Sequence, residues 1–589
     1  MTFFRITLVL TLMIIAVTLA TGCTENVTNP SLSQPHTLTP EATQKLSTEL
    51  RQILDTRLIP ASETTEQFKD LLRRKNILIP AKDITTRLNI SQPADRVYND
   101  HVPVYIYLTP ATPTRVVDPY VTVVINRKEQ YHVVVAWVDV ANLEKLTALD
   151  GVRVIRPIEP PEFSIGSVTT EGDRILGTEA LRNQSPMFNG TGVKVGVISN
   201  GATHWQVARD TGDLPADVHV IKTAAGDEGT AMLEVVHDMA PGADLYFHTC
   251  GSDVYSFMDG IDALVESGCT VIVDDINWKY EPFYEDGDVN SHVRNVLANN
   301  NIVYVSSAGN LAYKHYEGDF LDNGNHYHDF SRGENQSFDF TLEPIADATV
   351  VLEWNDRFTA SDNNYDLFLY DKNTGELLAY SNNMQTGTQD PLEIIGYENP
   401  GRTPIDVEVR ILNVNGKAQN RNLQLYIHDT GGIFRSAYTV PNGSIVGHQA
   451  LPEVIAVGAI GSDHPDSTEF YSSRGPVTIS YPVAESRPKP DICGIADVRV
   501  SGAGGYPAVN PGHFIGTSAA APHVAGVVAS VWGAYPNLTP EQLRYYLYKS
   551  ADPADDINGC GHGRANATAM VKMIEADRKA GREKPPIFV

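Results

Sequence analysis

The chain is 589 residues long, 42% of it apolar, and its 72 acidic against 45 basic side chains leave a formal charge of −27. That length exceeds what one hydrophobic core serves and points to three or four domains. No basic run offsets the charge, which excludes nucleic acid as a partner and sets the surface against anionic lipid headgroups.

Residues 1–23 read as an export signal. Arg5 supplies the positive start, and residues 6–20 form an apolar stretch too short to span a bilayer comfortably. The segment ends Ala20-Thr21-Gly22-Cys23, which resembles a bacterial lipobox and implies lipid on Cys23. Ordinary cleavage near Ala20 or Gly22 is the alternative. Either way the chain leaves the cytoplasm, and membrane contact is expected only through a lipid anchor. Residues 24–40, rich in Thr, Ser, Asn and Pro, have the composition of a tether. Cys250, Cys269, Cys493 and Cys560 lie further on, and an exported chain could pair them; buried thiols are the equal alternative. Their spacing fits no zinc pattern.

A small α/β domain is expected over 41–165. Helical patterns at about 41–58 and 64–74 precede β-like runs at 102–108, 120–126 and 131–138, a short helix at 141–149 and a strand at 152–155. From residue 190 the pattern changes. Short β-branched runs at 193–198, 244–248, 270–273, 302–307 and 454–459 alternate with helical patterns such as 261–267 and 289–299. Strands alternating with helices predict a doubly wound, mostly parallel sheet, whose ligands bind beyond the carboxyl ends of the strands. This domain is assigned 166–318 and 436–575. Between its two parts, 319–435 alternates apolar and polar residues at 349–354, 365–370, 405–414 and 423–428, separated by Gly, Asn and Asp turns. That predicts an inserted antiparallel β-sandwich. Asp356, Asp362, Asn363, Asn364 and Asp366 within it offer the oxygen ligands that calcium takes, and a solvated turn is the plainer reading. No other cofactor is implied.

The chemistry gathers on Gly516-Thr517-Ser518-Ala519-Ala520-Ala521-Pro522-His523-Val524-Ala525-Gly526. A serine in the first turn of an apolar helix faces backbone N–H groups and the positive end of the dipole, which favours an anion beside its hydroxyl. A simple N-cap serine gives the same pattern. The stretch closely resembles the nucleophile segment of subtilisin-like serine peptidases. "VKVGVISNG", "DEGTAMLEVVHDMAPGA", "VIVDDINW" and "YVSSAGN" resemble further segments of that family in the same order. The resemblance implies a subtilisin-like sheet, a polypeptide substrate and Ser518 as nucleophile. It makes Asn310 the oxyanion donor, an interaction worth about 3–4 kcal/mol in subtilisin. The run "VVVAWVDVANLEKLTALDGVRVIRP" resembles the end of subtilase propeptides and makes 41–165 propeptide-like.

Two members of the family's triad are replaced. Where the aspartate is expected the turn reads Ser199-Asn200-Gly201, and where the histidine is expected stands Glu228. A glutamate there resembles the sedolisins, or serine-carboxyl peptidases, and implies Glu228 as base. The second sedolisin acid has no counterpart, since Met232 takes its place. The resemblance puts Asp274 and Asp275 at a strand end beside the nucleophile. Alternation turns only one of them inward, and the likeness to the family favours Asp275; that both merely cap the loop is the alternative. Asn200 and Asp275 are thus the candidate orienters. His237 falls on the far side of its helix, Glu234 and Asp238 read as surface charges, and His523 belongs to the structural part of its motif. The expectation is an exported serine endopeptidase of serine-carboxyl type. A pseudoprotease that binds peptides or envelope partners is the alternative. Oligomeric state is not legible.

Overall fold

β-branched and aromatic residues crowd 101–139, and there the chain forms an antiparallel sheet. β1 (His101–Leu108), β2 (Val123–Lys128), β3 (Val133–Asp139) and β4 (Val152–Pro157) run in the order β2-β3-β1-β4. This computed structural model describes residues 44–47, 50–51, 54, 100–158, 170–185, 187–322, 324–331, 337–429, 436–501 and 514–582. The signal, the tether and the helical pattern at 64–74 lie outside them. Because side chains alternate along a strand, the sheet has two apolar faces. Val104, Ile106, Val134 and Ala136 build one core with Leu46, Leu50 and the short helix α1 (Leu143–Thr147). Tyr105, Val133 and Val135 face the other way, into a core shared with the large domain.

That large domain is a seven-stranded sheet in which every ladder is parallel. Its first strands are β5 (Lys194–Ser199), β6 (His219–Lys222), β7 (Asp244–Thr249), β8 (Val271–Asp274) and β9 (Val303–Ser307). Helices cover both faces, which is why the strands are apolar runs rather than alternating ones. Val195, Val197, Val271 and Val273 meet α2 (Glu228–Met239) on one face. Ile198 and Ile272 meet α3 (Val254–Glu266) and α4 (Asp288–Asn299) on the other. The N-terminal sheet lies over α3: the Val254 N–H donates to the Tyr105 hydroxyl at 3.2 Å, and Asn126 donates to Asp259.

After β9 the chain forms eight antiparallel strands, β10 (His315–Asp319), β11 (Phe338–Leu342), β12 (Asp347–Trp354), β13 (Tyr365–Asp371), β14 (Leu377–Ser381), β15 (Leu392–Glu398), β16 (Ile405–Asn413) and β17 (Asn422–Asp429). They make two four-stranded sheets, β10-β17-β12-β15 and β11-β16-β13-β14, around one apolar core. The first strand begins at His315, ahead of the expected boundary at 319. Within the Asp356 cluster, Asp356 and Asn363 are buried, 5% and 3% exposed, whereas Asp362 is exposed and Asn364 and Asp366 are half-buried. The Asp356 carboxylate accepts from Trp354, Ser361 and Asn363, and the Arg421 guanidinium lies 2.7 Å away. Donors already fill the place a cation would take. Among the described residues, no group of three His, Cys, Asp or Glu side chains is placed to hold a metal ion.

The parent sheet resumes with β18 (Ile455–Gly461), passes the hairpin of β19 (Val477–Ile479) and β20 (Glu485–Arg487), and ends at β21 (Ile492–Ala496). Its strand order is β21-β18-β9-β8-β5-β7-β6. The last large element is α5 (Thr517–Ala534), which is buried almost all round. Cys493 and Cys560 are disulfide-bonded, whereas Cys250 and Cys269 are buried thiols. No helix among the described residues is long and apolar enough to cross a membrane.

Candidate active site

The carboxyl ends of the parallel strands converge on one point. Ser199 ends β5 with Asn200 next, Asp275 follows β8, Asn310 lies in the turn after β9, and Glu228 and Ser518 open α2 and α5. The two helices pack against each other closely because α5 carries Gly526 at the crossing. A Cβ there would stand 2.3 Å from the Met239 Cβ of α2. Gly516, the N-cap of α5, has φ +99°, a left-handed turn that glycine adopts without strain. Its N–H donates to the Tyr471 hydroxyl at 3.1 Å.

Ser518 is 3% exposed in the first turn of α5. Beside it Asn310 Oδ1 accepts from the Thr517 N–H at 2.9 Å and from the Thr517 hydroxyl at 3.1 Å. A backbone N–H can only donate, so the amide must turn its oxygen to Thr517. Its NH2 end is thereby left as the donor end.

Asp275 is the hub. Its carboxyl is 5% exposed, and Oδ2 accepts from the Ser199 hydroxyl at 3.2 Å. The side chains of Glu228 and Ser518 also lie close enough to act on its charge, although Oδ1 has no hydrogen-bond partner among the described residues. Burial pushes its pKa up to about 7, with the Asp274 charge adding to the rise and the Ser199, Glu228 and Ser518 side chains opposing it. Glu228 is fully buried at the start of α2. Two neighbouring buried carboxyls cannot both ionise cheaply, so the pair is disposed to hold one proton between them.

Asn200 meets residue 228 through the backbone. Its Oδ1 accepts from the Glu228 N–H at 3.2 Å and from the Gly201 N–H at 2.5 Å, which caps α2 from the neighbouring turn. Asn200 thus meets the start of α2 as an acceptor of backbone N–H groups.

Asp274 points to the opposite face of the sheet. It accepts from the Ser306 hydroxyl at 2.8 Å and lies 3.0 Å from His448 Nε2. Ser306, His448 and Asp274 have the residue types of a hydrolytic triad, but all three are at most 1% exposed. They tie β8 and β9 to the chain returning from the insertion. His523 is buried too. Its Nδ1 donates to the Ala519 carbonyl and its Nε2 faces the Thr170 hydroxyl, and burial lowers its pKa to about 4. Glu234 and Asp238 are not surface charges. Glu234 is 2% exposed and accepts from the Ser501 N–H and hydroxyl at 2.6 and 2.7 Å, while Asp238 accepts from the Thr170 N–H. Burial raises them to about 8 and about 7.

Residues 420–570 match the subtilase peptidase family. The match includes Ser518 and α5, whereas Glu228, Asp275 and Asn310 lie before it. Solved structures similar to this chain include the CspB protease of Clostridium perfringens, at 13% identity and a TM-score of 0.48 over 70% of this chain and 98% of that one. The prenylagaramide maturation protease PagA gives 13% and 0.36 over 67% and 98%. The self-cleaved protease domain of PatA gives 15% and 0.33 over 66% and 98%.

Two contacts escaped the sequence reading: Ser199 as donor to Asp275, and Thr517 as the anchor of Asn310. Ile198 pairs with Asp274 in adjacent parallel strands, so the next residues, Ser199 and Asp275, become neighbours. That follows only once β8 is known to lie beside β5. The Thr517 contact needs the turn after β9 to meet the start of α5, which is also a matter of strand order.

Proposed function

We propose that this chain is an exported serine endopeptidase of serine-carboxyl type. The observation that carries the reading is that the Ser518 and Glu228 side chains both face and act on one buried carboxyl, Asp275. Ser518 Oγ attacks the peptide carbonyl carbon, and its proton passes to the Glu228–Asp275 pair. The carbonyl π electrons move to oxygen, where the Asn310 amide donates and the N-terminus of α5 favours negative charge. Collapse breaks the C–N bond, and the leaving nitrogen takes the proton from the pair. Water then repeats the sequence on the acyl ester. Burial supports the acid–base role, because a carboxyl with a pKa near 7 is a far better acceptor of a serine proton than one near 4.

A fluorophosphonate probe tests the reading. Purified protein should be labelled on Ser518 between about pH 3 and 8, and Ser518→Ala should abolish the label. Folded protein left unlabelled across that range would favour the binding-protein reading, to which the replaced triad positions also belong. Export and a propeptide-like role for the N-terminal sheet are part of the same proposal. The Cys493–Cys560 bridge supports the first, because disulfides persist in oxidising compartments. Membrane-fraction protein that survives Cys23→Ala would argue against a lipid anchor.

A further inference from the structure

We infer that Asp275, rather than Glu228, takes the proton of Ser518, and that Ser199 is the positioning residue that aims it. The inference rests on the peptidase reading above and changes which carboxyl does the work. Ser199, Glu228 and Ser518 come from three different elements, β5, α2 and α5, and their side chains converge on the one carboxyl that follows β8. A group that faces the nucleophile and a second carboxyl and accepts from a fixed donor is placed as acceptor, with the other two as its supports. Ser199 is fully buried, and its backbone carbonyl accepts from the Cys250 N–H at 2.8 Å, so its hydroxyl is held at a set distance from Asp275. Glu228, held by Asn200 at the start of α2, then supplies the proton that the leaving nitrogen needs.

The balance is simple. With one proton on Glu228 and a negative charge on Asp275, the Ser518 O–H bond breaks towards Asp275 as the Oγ–carbon bond forms. When the C–N bond breaks, its electron pair stays on nitrogen, which accepts a proton from the pair. One proton then remains on the pair for deacylation. The groups that bear on the Asp275 charge are Asp274 on its own strand, Glu228 on α2, and the Cys250 thiol after β7. Asp274 and Cys250 oppose its ionisation when charged, whereas a protonated Glu228 and the Ser518 hydroxyl favour it. The Ser199 hydroxyl favours ionisation, so removing it raises the pH at which Asp275 becomes a base.

The test uses the full-length protein and the rate of fluorophosphonate labelling from about pH 3 to 9, with thermal melting to verify folding. Labelling needs a base for Ser518 but no strong acid, because fluoride leaves unaided. Asp275→Asn should slow labelling by about 10²–10⁴-fold at every pH. Glu228→Gln should keep labelling within about tenfold of wild type while losing peptide hydrolysis. Ser199→Ala should move the rising limb of the labelling profile to higher pH, and Ser199→Thr, which keeps the hydroxyl, should restore it. Labelling that survives Asp275→Asn but not Glu228→Gln would overturn the inference and leave the peptidase reading intact. A Ser199→Ala profile superimposed on wild type would also overturn it, even where Asp275→Asn fails to fold. Wild-type protein that takes no label would overturn both.

Discussion

Asn200 Oδ1 gathers two backbone N–H groups, those of Gly201 and Glu228, and so caps a helix whose own N-cap, Asp227, makes no side-chain cap bond. Asn200→Ala should therefore cost about 1 kcal/mol in urea unfolding, as the loss of a cap does. Asn200→Asp keeps the acceptor and places a negative charge at the positive end of α2, so it should fold at least as well. In the proposed reaction Asn310 acts at the other end. Its Oδ1 is fixed by Thr517, and Asn310→Ala should lower peptide turnover by about 10²–10³-fold with little change in KM, as the loss of one oxyanion donor does. Steady-state kinetics on a peptide ester and amide would check it. At this scale the residue types were legible, but their partners were not. Asn200 reads only as an orienter until the start of α2 is known, and only the sheet order brings Ser199 to Asp275.

Among the elements, the buried parallel strands were the most legible, since burial on both faces leaves β-branched runs with little else to encode. β6, with only four residues and an exposed edge, has no such run. α3 begins at Val254, earlier than its apolar pattern at 261–267 suggests, because Asp253 caps it by accepting from Tyr255 and Ser256. The bridge between β21 and the short helix Ile557–Cys560 could not be read from cysteine spacing, because the two segments meet only in the folded sheet. It closes a loop of 67 residues, so replacing both cysteines by serine should lower stability by about 4 kcal/mol on the chain-entropy account. A denaturant midpoint that does not fall would show that the loop ends are already tied without the bridge.

At the scale of the whole molecule, buried ionisable groups set how stability depends on pH. Burial raises Glu234 and Glu281 to about 8 and Asp238, Asp275 and Glu317 to about 7. The folded state therefore holds these protons after the unfolded chain, with carboxyls near pH 4, has released them. Their contribution is fully present below about pH 4 and is lost as pH rises towards 8. His315, His328 and His523, lowered to about 4, act oppositely, but only between about 4 and 6.5. Above 6.5 the carboxyls act alone, so the urea midpoint should fall from pH 6.5 to 8. The fate of the N-terminal sheet follows from its interfaces. Tyr105, Val133 and Val135 are buried against α3 and its neighbours, and the Arg156 guanidinium, 8% exposed, pairs with Asp390 of the inserted strands. On the propeptide proposal the cut falls between Ile158, which is buried, and Thr170, which is fixed by Asp238 and His523. Wild-type protein should then give two bands in denaturing gels, with the new terminus in that window, yet elute as one species under native conditions. Ser518→Ala should give one band. Arg156→Ala should loosen the sheet without stopping cleavage, since it leaves a buried carboxylate unpaired at the interface, a loss of about 3–5 kcal/mol for a buried pair. One full-length band in both wild type and Ser518→Ala would make the sheet a permanent part of the molecule, and native elution as two species would show that these contacts do not hold it.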